Sequence, residues 1–146
     1  KVIKIDYEQY QQTKRKLNQA WCAKREMDKY NELISKAVSA VQRITPSYSL
    51  TPGSNNCDSD KMANFAAEVD DLYTRAEEAT KNYLKAVKDV DDLINTLENK
   101  LYISVLRRRY LGCERWEDIA LELGYSERHI QRLHVEAIET LAGNND

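Results

Sequence analysis

The most regular pattern in the chain is a repeat of apolar residues between residues 62 and 97. One set recurs every seven residues, and a second set follows each member of the first by three residues. The sets are Met62, Val69, Ala76, Tyr83, Val90 and Leu97, and Phe65, Leu72, Ala79, Ala86 and Leu93. Alternating steps of three and four are typical of a coiled-coil seam. The pattern predicts a long helix that begins near Ser59 or Asp60, which are both good N-caps.

A less regular repeat predicts an earlier helix over residues 5–44. Its apolar positions follow steps of three, four and seven, and they are Tyr10, Leu17, Ala20, Met27, Ile34, Val38 and Val41. Pro46 ends this helix because proline lacks the N–H that the helical ladder needs. Residues 45–59 have no periodicity, and we interpret them as a linker that is either a flexible loop or a contact segment.

Charge favours side-by-side packing of these two helices. Residues 1–46 carry ten basic and five acidic side chains, whereas residues 47–101 carry six basic and eleven acidic ones. Because opposite charges attract, we expect a long antiparallel, coiled-coil-like helical hairpin over residues 1–100, with the loop at 45–59. The same seam is also suited to a second copy, so we expect a homodimer or small homo-oligomer.

The segment after residue 100 predicts a helix-turn-helix. Gly112 and Gly124 lie where helices should end, and we expect both in the left-handed conformation that glycine adopts most readily. Ser126 is a suitable N-cap for a last helix. A short helix over 116–123, a tight turn and a longer helix complete the motif. We expect its core to contain Ile119, Ala120, Leu123, Ile130 and Leu133.

The last helix has a polar face of the kind that contacts DNA bases. Its apolar residues Ile130, Leu133, Ala137 and Leu141 share one side of a helical wheel, and Arg128, Gln131 and Arg132 lie opposite. Arginine can make two hydrogen bonds to guanine, and glutamine can do the same to adenine. Ser126 and Glu127 begin the helix, where its first turn approaches the bases. These five polar residues are the predicted base contacts; the alternative is an ordinary solvated face.

Other cations on the segment are candidates for phosphate contacts. They are Arg107, Arg108, Arg115 and His129. Arg107, Arg108 and Arg109 are consecutive and fan around a helix, so at least one must point inward. We expect Arg109 to brace the fold against Glu117 or Asp118, and His134 to make a helix–helix contact. The alternative for the arginine run is a solvated charged surface.

Composition argues against several other classes of protein. The chain has 146 residues but only 4 Gly and 2 Pro, which favours few, long helices over a β-sandwich or an α/β enzyme. The three cysteines show no metal-ligand spacing, and no catalytic set or phosphate loop is present, so we expect no enzyme, cofactor or metal. No apolar run approaches the ~18 residues of a membrane span, and no signal peptide is recognisable. We therefore expect a soluble protein of the bacterial host cytoplasm.

Residues 106–141 resemble region four of bacterial sigma factors, which reads promoter DNA. The matching stretches are Arg-Tyr-Leu-Gly at 109–112, Trp-Glu-Asp-Ile-Ala at 116–120, Leu-Gly-Tyr-Ser at 123–126 and Arg-Leu-His at 132–134. The whole chain is similar to short phage and prophage regulators of the ArpU and RinA type, also at the Asp-Lys-Met-Ala opening of the second helix. That resemblance implies a DNA-binding domain over residues 101–146.

The resemblance implies a sequence-specific, double-stranded-DNA-binding transcriptional regulator, with activation of late phage genes as its role. Its base-reading positions fall on Arg128, Gln131 and Arg132, with Ser126 and Glu127 at the start of the helix. Two other functions stay open. One is a small terminase-like DNA-packaging or architectural subunit, and the other is a protein-interaction module that contacts RNA polymerase.

Overall fold

The protein is all-helical in the computed structural model, which describes residues 4–44 and 57–144. The helices are α1 (Tyr7–Ile44), α2 (Cys57–Ile94), α3 (Lys100–Leu106), α4 (Trp116–Leu123) and α5 (Glu127–Asn144). A π-helical turn, Arg107–Leu111, continues directly from α3. No strand occurs in the described ranges. The predicted fold class, all-α, is confirmed.

The helix ends differ from the predicted ones by a few residues. α1 begins at Tyr7, two residues late, and α2 begins at Cys57, before the predicted caps. Most of the predicted linker, residues 45–56, lies outside the described residues, and its last three residues belong to α2. α2 ends at Ile94, where Thr96 Oγ1 donates a hydrogen bond to the carbonyl of Leu93 at 2.7 Å. The seam nevertheless continues past the helix, since Leu97 is buried.

The chain divides into two compact units. The terminal unit combines Lys1–Ala23 with Tyr83–Asp146, and the middle unit is Lys24–Asn82. The beginning of α1 and the end of α2 therefore belong with α3, α4 and α5. Each unit is treated separately below.

The terminal unit contains two apolar clusters. The larger one joins α1, α2, the π turn and α5, and its buried residues are Leu17, Ala20, Val90, Ile94, Leu97, Leu106, Tyr110, Ala137, Ile138 and Leu141. The smaller one joins α3, α4 and α5 through Val105, Ile119, Ala120, Ile130 and Leu133, with Leu123 packed against it. The predicted core of the α4–α5 pair is confirmed.

The middle unit buries little apolar surface. Among its described side chains only Ala76 and Ala79 are buried. The larger seam residues are partly exposed, and Met62 and Val38 are 39% and 36% exposed. Hydrogen bonding to Tyr30 raises the pKa of Arg75, as does Asp71, which places the Tyr30 and Arg75 side chains of α1 and α2 together.

The two glycines differ in conformation, and the expectation for Gly112 is wrong. Gly124 is left-handed, with φ of 74°, and it ends α4 as expected. Gly112 has φ of −83°, and the positive φ falls on Cys113 instead, at 54°. The reason is the wide π turn, which lets the Gly112 N–H reach the carbonyl of Arg107 at 2.9 Å. A Cβ on Gly112 would lie 2.8 Å from the Arg108 carbonyl oxygen, so close approach excludes a side chain there.

Substitution of these glycines should therefore destabilise the terminal unit for two different reasons. Gly124→Ala should cost about 1 kcal/mol through left-handed strain alone, and Gly124→Asn should cost less because asparagine tolerates that conformation. Gly112→Ala should cost about 2 kcal/mol because backbone atoms must move apart. Urea unfolding measures each loss. A Gly112→Ala variant as stable as the wild type would contradict the close approach.

Candidate nucleic-acid interface

The start of α5 is fixed by a three-residue turn after α4. Gly124 closes α4, and the Tyr125 N–H then donates to the carbonyl of Ala120 at 3.0 Å. Ser126 Oγ accepts a hydrogen bond from the His129 N–H at 3.2 Å, which satisfies one of the free donors at a helix start. The predicted N-cap is confirmed. The first turn of α5 is therefore held at a defined position beside α4.

α5 separates an apolar stripe from a polar stripe. Ile130, Ala137, Ile138 and Leu141 are completely buried. The predicted base-contacting residues Ser126, Glu127, Arg128, Gln131 and Arg132 are all exposed. Truncation of one of these polar side chains therefore removes no core contact.

Hydrogen bonds on α5 organise two of the exposed side chains. Gln131 Nε2 donates to Glu127 Oε1 at 3.2 Å, which holds the amide in one orientation. Arg132 Nη2 donates to His129 Nδ1 at 2.8 Å, because arginine has no acceptor atom. Arg132 Nε also lies 3.9 Å from Glu136 Oε1. In the ranges that the structure describes, Arg128 has no hydrogen-bond or ion-pair partner.

The predicted phosphate-contacting arginines are each paired with a carboxylate. Arg107 Nε lies 3.0 Å from Asp91 Oδ1, and the same guanidinium reaches Asn95. Arg108 contacts Glu114 at 3.3 Å, and Arg115 contacts Asp118 at 3.1 Å. All three pairs are at least partly exposed, so solvent and other anions can reach them.

His129 and His134 occupy different environments. His129 is partly exposed, with its ring centroid 4.9 Å from that of Tyr125. His134 is buried between Tyr110, at a ring distance of 5.6 Å, and Trp116, at 4.8 Å. Its expected role in helix–helix contact is confirmed, since it joins α5 to the π turn and α4.

Arg109 braces the terminal unit, but with partners other than the expected Glu117 or Asp118. Its guanidinium carbon lies 4.4 Å from the Trp116 ring centroid and 5.3 Å from that of Trp21. Arg109 Nη1 also donates to the backbone carbonyl of Glu114 at 2.9 Å. A cation between aromatic faces is attracted by their π electrons, and this contact joins α1 to α4. The sequence carried no signal for Trp21, which lies 88 residues before Arg109.

Burial sets the protonation state of the His134–Tyr110 pair. Tyr110 Oη and His134 Nε2 share a hydrogen bond of 2.6 Å inside the unit. Burial, with the nearby charges of Lys14 and Arg109, lowers the pKa of His134 to about 4. Burial also raises the pKa of Tyr110 well above its ordinary value. At neutral pH both side chains are therefore uncharged, and the cluster holds no buried net charge from them.

The depressed pKa of His134 predicts acid sensitivity. Between pH 6.5 and 4 the unfolded chain takes up a proton at this residue and the folded protein does not, so the free energy of unfolding falls as pH falls. The loss from this residue should approach roughly 3 kcal/mol at pH 4. Urea unfolding across this range should show a flatter pH dependence in His134→Gln than in wild type. His129→Gln is the control and should keep the wild-type slope; equal slopes in all three proteins would contradict the assignment.

Comparisons with protein-family models, with curated proteins and with solved structures give no match. No helix in the described ranges is long and apolar enough to span a membrane. The same residues contain no group of three or more His, Cys, Asp or Glu side chains arranged to hold a metal ion.

Proposed function

We propose that this protein is a sequence-specific, double-stranded-DNA-binding transcriptional regulator whose α4 and α5 form the helix-turn-helix. The observation that carries the proposal is the polar face of α5. Its five candidate base contacts are exposed, and the opposite stripe is anchored in two apolar clusters. A three-residue turn and a capped start before such a helix are typical of helices that enter the major groove.

The side chains of this face divide into oriented and unrestrained groups. The Glu127–Gln131 hydrogen bond uses one amide proton of Gln131 and leaves its oxygen and second proton available. Those two groups match the donor and acceptor edge of adenine. Arg132 is held by His129 and Glu136, whereas Arg128 is unrestrained. We assign Arg128 and Arg132 to guanine, Gln131 to adenine, and Ser126 and Glu127 to the first turn at the bases.

Selection of binding fragments from a DNA library, followed by titration, tests the base-contacting role. Arg128→Ala and Arg132→Ala should each weaken binding to the selected site by about 1–3 kcal/mol and relax preference at one base pair. Gln131→Ala should have a smaller effect because neither hydrogen-bonding partner is charged. Arg75→Ala, an exposed arginine of the middle unit, is the matched control and should bind as wild type. Unchanged affinity in the Arg128→Ala, Arg132→Ala double variant would refute the assignment.

The carboxylate partners of Arg107, Arg108 and Arg115 explain how an acidic chain could discriminate between DNA sites. A phosphate must displace a carboxylate from each arginine, which lowers the gain from non-specific contact. Correct docking by α5 would then be needed before these exchanges become favourable. The pairs thus support phosphate contacts that follow base recognition. His129, beside Arg132, is assigned to the same backbone surface.

Release of these arginines should strengthen non-specific DNA binding. Asp91→Asn and Asp118→Asn should each raise affinity for random-sequence DNA, with a steeper salt dependence by about one unit of slope. Asp70→Asn removes the same charge from an exposed position with no arginine partner among the described residues, and it should have a smaller effect. If Asp70→Asn matches the other two variants, net charge rather than arginine release accounts for the change.

Activation of late phage genes is the role that the sigma-like stretches support. Contacts in both units also favour the hairpin of α1 and α2: Leu17 shares a core with Val90, and Tyr30 meets Arg75. The map positions of DNA fragments bound by the protein test the regulatory role. Fragments upstream of late genes would support activation, and fragments at a packaging site would support the terminase-like alternative.

One observation favours a protein-binding module as a second candidate. Leu121 on α4 is 85% exposed, which is unusual for a leucine on an otherwise packed helix. A surface leucine of this kind suits contact with a protein such as RNA polymerase. Leu121→Gln should leave DNA affinity unchanged and weaken polymerase binding if both functions coexist. A chain that binds polymerase but no DNA would favour this candidate alone.

A further inference from the structure

The middle unit has an apolar face too large for its own two helices to cover. Its seam residues Met27, Ile34, Phe65, Val69 and Leu72 are each only partly buried. The two residues that are fully covered are alanines, which bury little area. Two helices have no second layer to place over such a stripe, and a stable helical domain normally needs one.

The charges of the unit indicate what covers this face. Residues 24–43 of α1 carry five basic and three acidic side chains, whereas residues 60–82 of α2 carry three basic and six acidic ones. Ion pairs of the unit include Lys36–Glu32, Arg75–Asp71 and Lys81–Glu77, each within one helix. A second copy related by a two-fold axis would place the basic segment of each α1 beside the acidic segment of the other α2.

We propose that the apolar face of the middle unit is the dimer interface, covered by the same face of a second copy. Two-fold symmetry makes such an interface self-complementary in both shape and charge. The seam repeat on α2 has the spacing that lets side chains from facing helices interdigitate. This inference does not depend on DNA binding, because the terminal unit contributes none of the residues.

Sedimentation equilibrium over a concentration series tests the proposal directly. The wild-type protein should have twice the chain mass of 17.0 kDa. A monomer at every concentration would overturn the proposal. A trimer or larger ring would overturn it too, and would favour the terminase-like alternative instead.

Matched aspartate variants test which face is used. Val69→Asp and Leu72→Asp place a carboxylate in the seam and should raise the dimer dissociation constant by at least about 100-fold. Ala67→Asp adds the same charge on the exposed side of the same helix and should remain dimeric. Equal dissociation of all three variants would overturn the assignment of the face.

Two further measurements separate loss of the interface from loss of folding. Fluorescence of Trp21 and Trp116, both in the terminal unit, should be unchanged in the monomeric variants. High salt should also weaken the wild-type dimer, because screening removes attraction between the oppositely charged segments. Dissociation that occurs only with loss of the tryptophan signal would assign the variants to unfolding and overturn the proposed interface.

Discussion

The terminal unit depends on how α5 is held along its buried stripe. That stripe contacts residues from α1, α2, α3, the π turn and α4, and its one polar member, His134, is hydrogen bonded to Tyr110 and enclosed by Trp116. A buried polar group is tolerated only when it has a partner, so the pair admits few alternative packings. The exposed stripe of α5 inherits its position from these contacts.

Periodicity in the sequence predicted the elements well because each helix repeats its own signal. The α2 seam identified Ala76, Ala79 and Val90 as covered positions, and the spacing of Ile130 and Leu133 identified the buried side of α5. The glycine, serine and helix spacing around residue 124 predicted the turn. These are local features, and residues a few positions apart are sufficient to encode them.

Contacts between distant residues left no such pattern. The packing of Tyr10 on the cluster that contains Ala137 joins positions 127 residues apart, and a single aromatic residue on α1 does not indicate its partner. The π turn was also missed, because its wider hydrogen bonding arises from how α3 and α4 are joined rather than from the residues Arg107–Leu111 themselves. The exposed position of the candidate base contacts was predictable from the helical wheel; the carboxylate partners of the arginines were not.

The π turn also sets the tolerance of this chain to insertions and deletions. A π turn contains an extra residue relative to an α-helical turn, and it lies immediately before α4 and α5. Loss of one residue within 107–111 would restore α-helical winding and rotate everything that follows by about 100° about the axis of α3. His134 would then lose its aromatic enclosure, and the exposed stripe of α5 would point elsewhere. Length at this turn is therefore constrained more tightly than residue type, unlike the exposed ends of the helices.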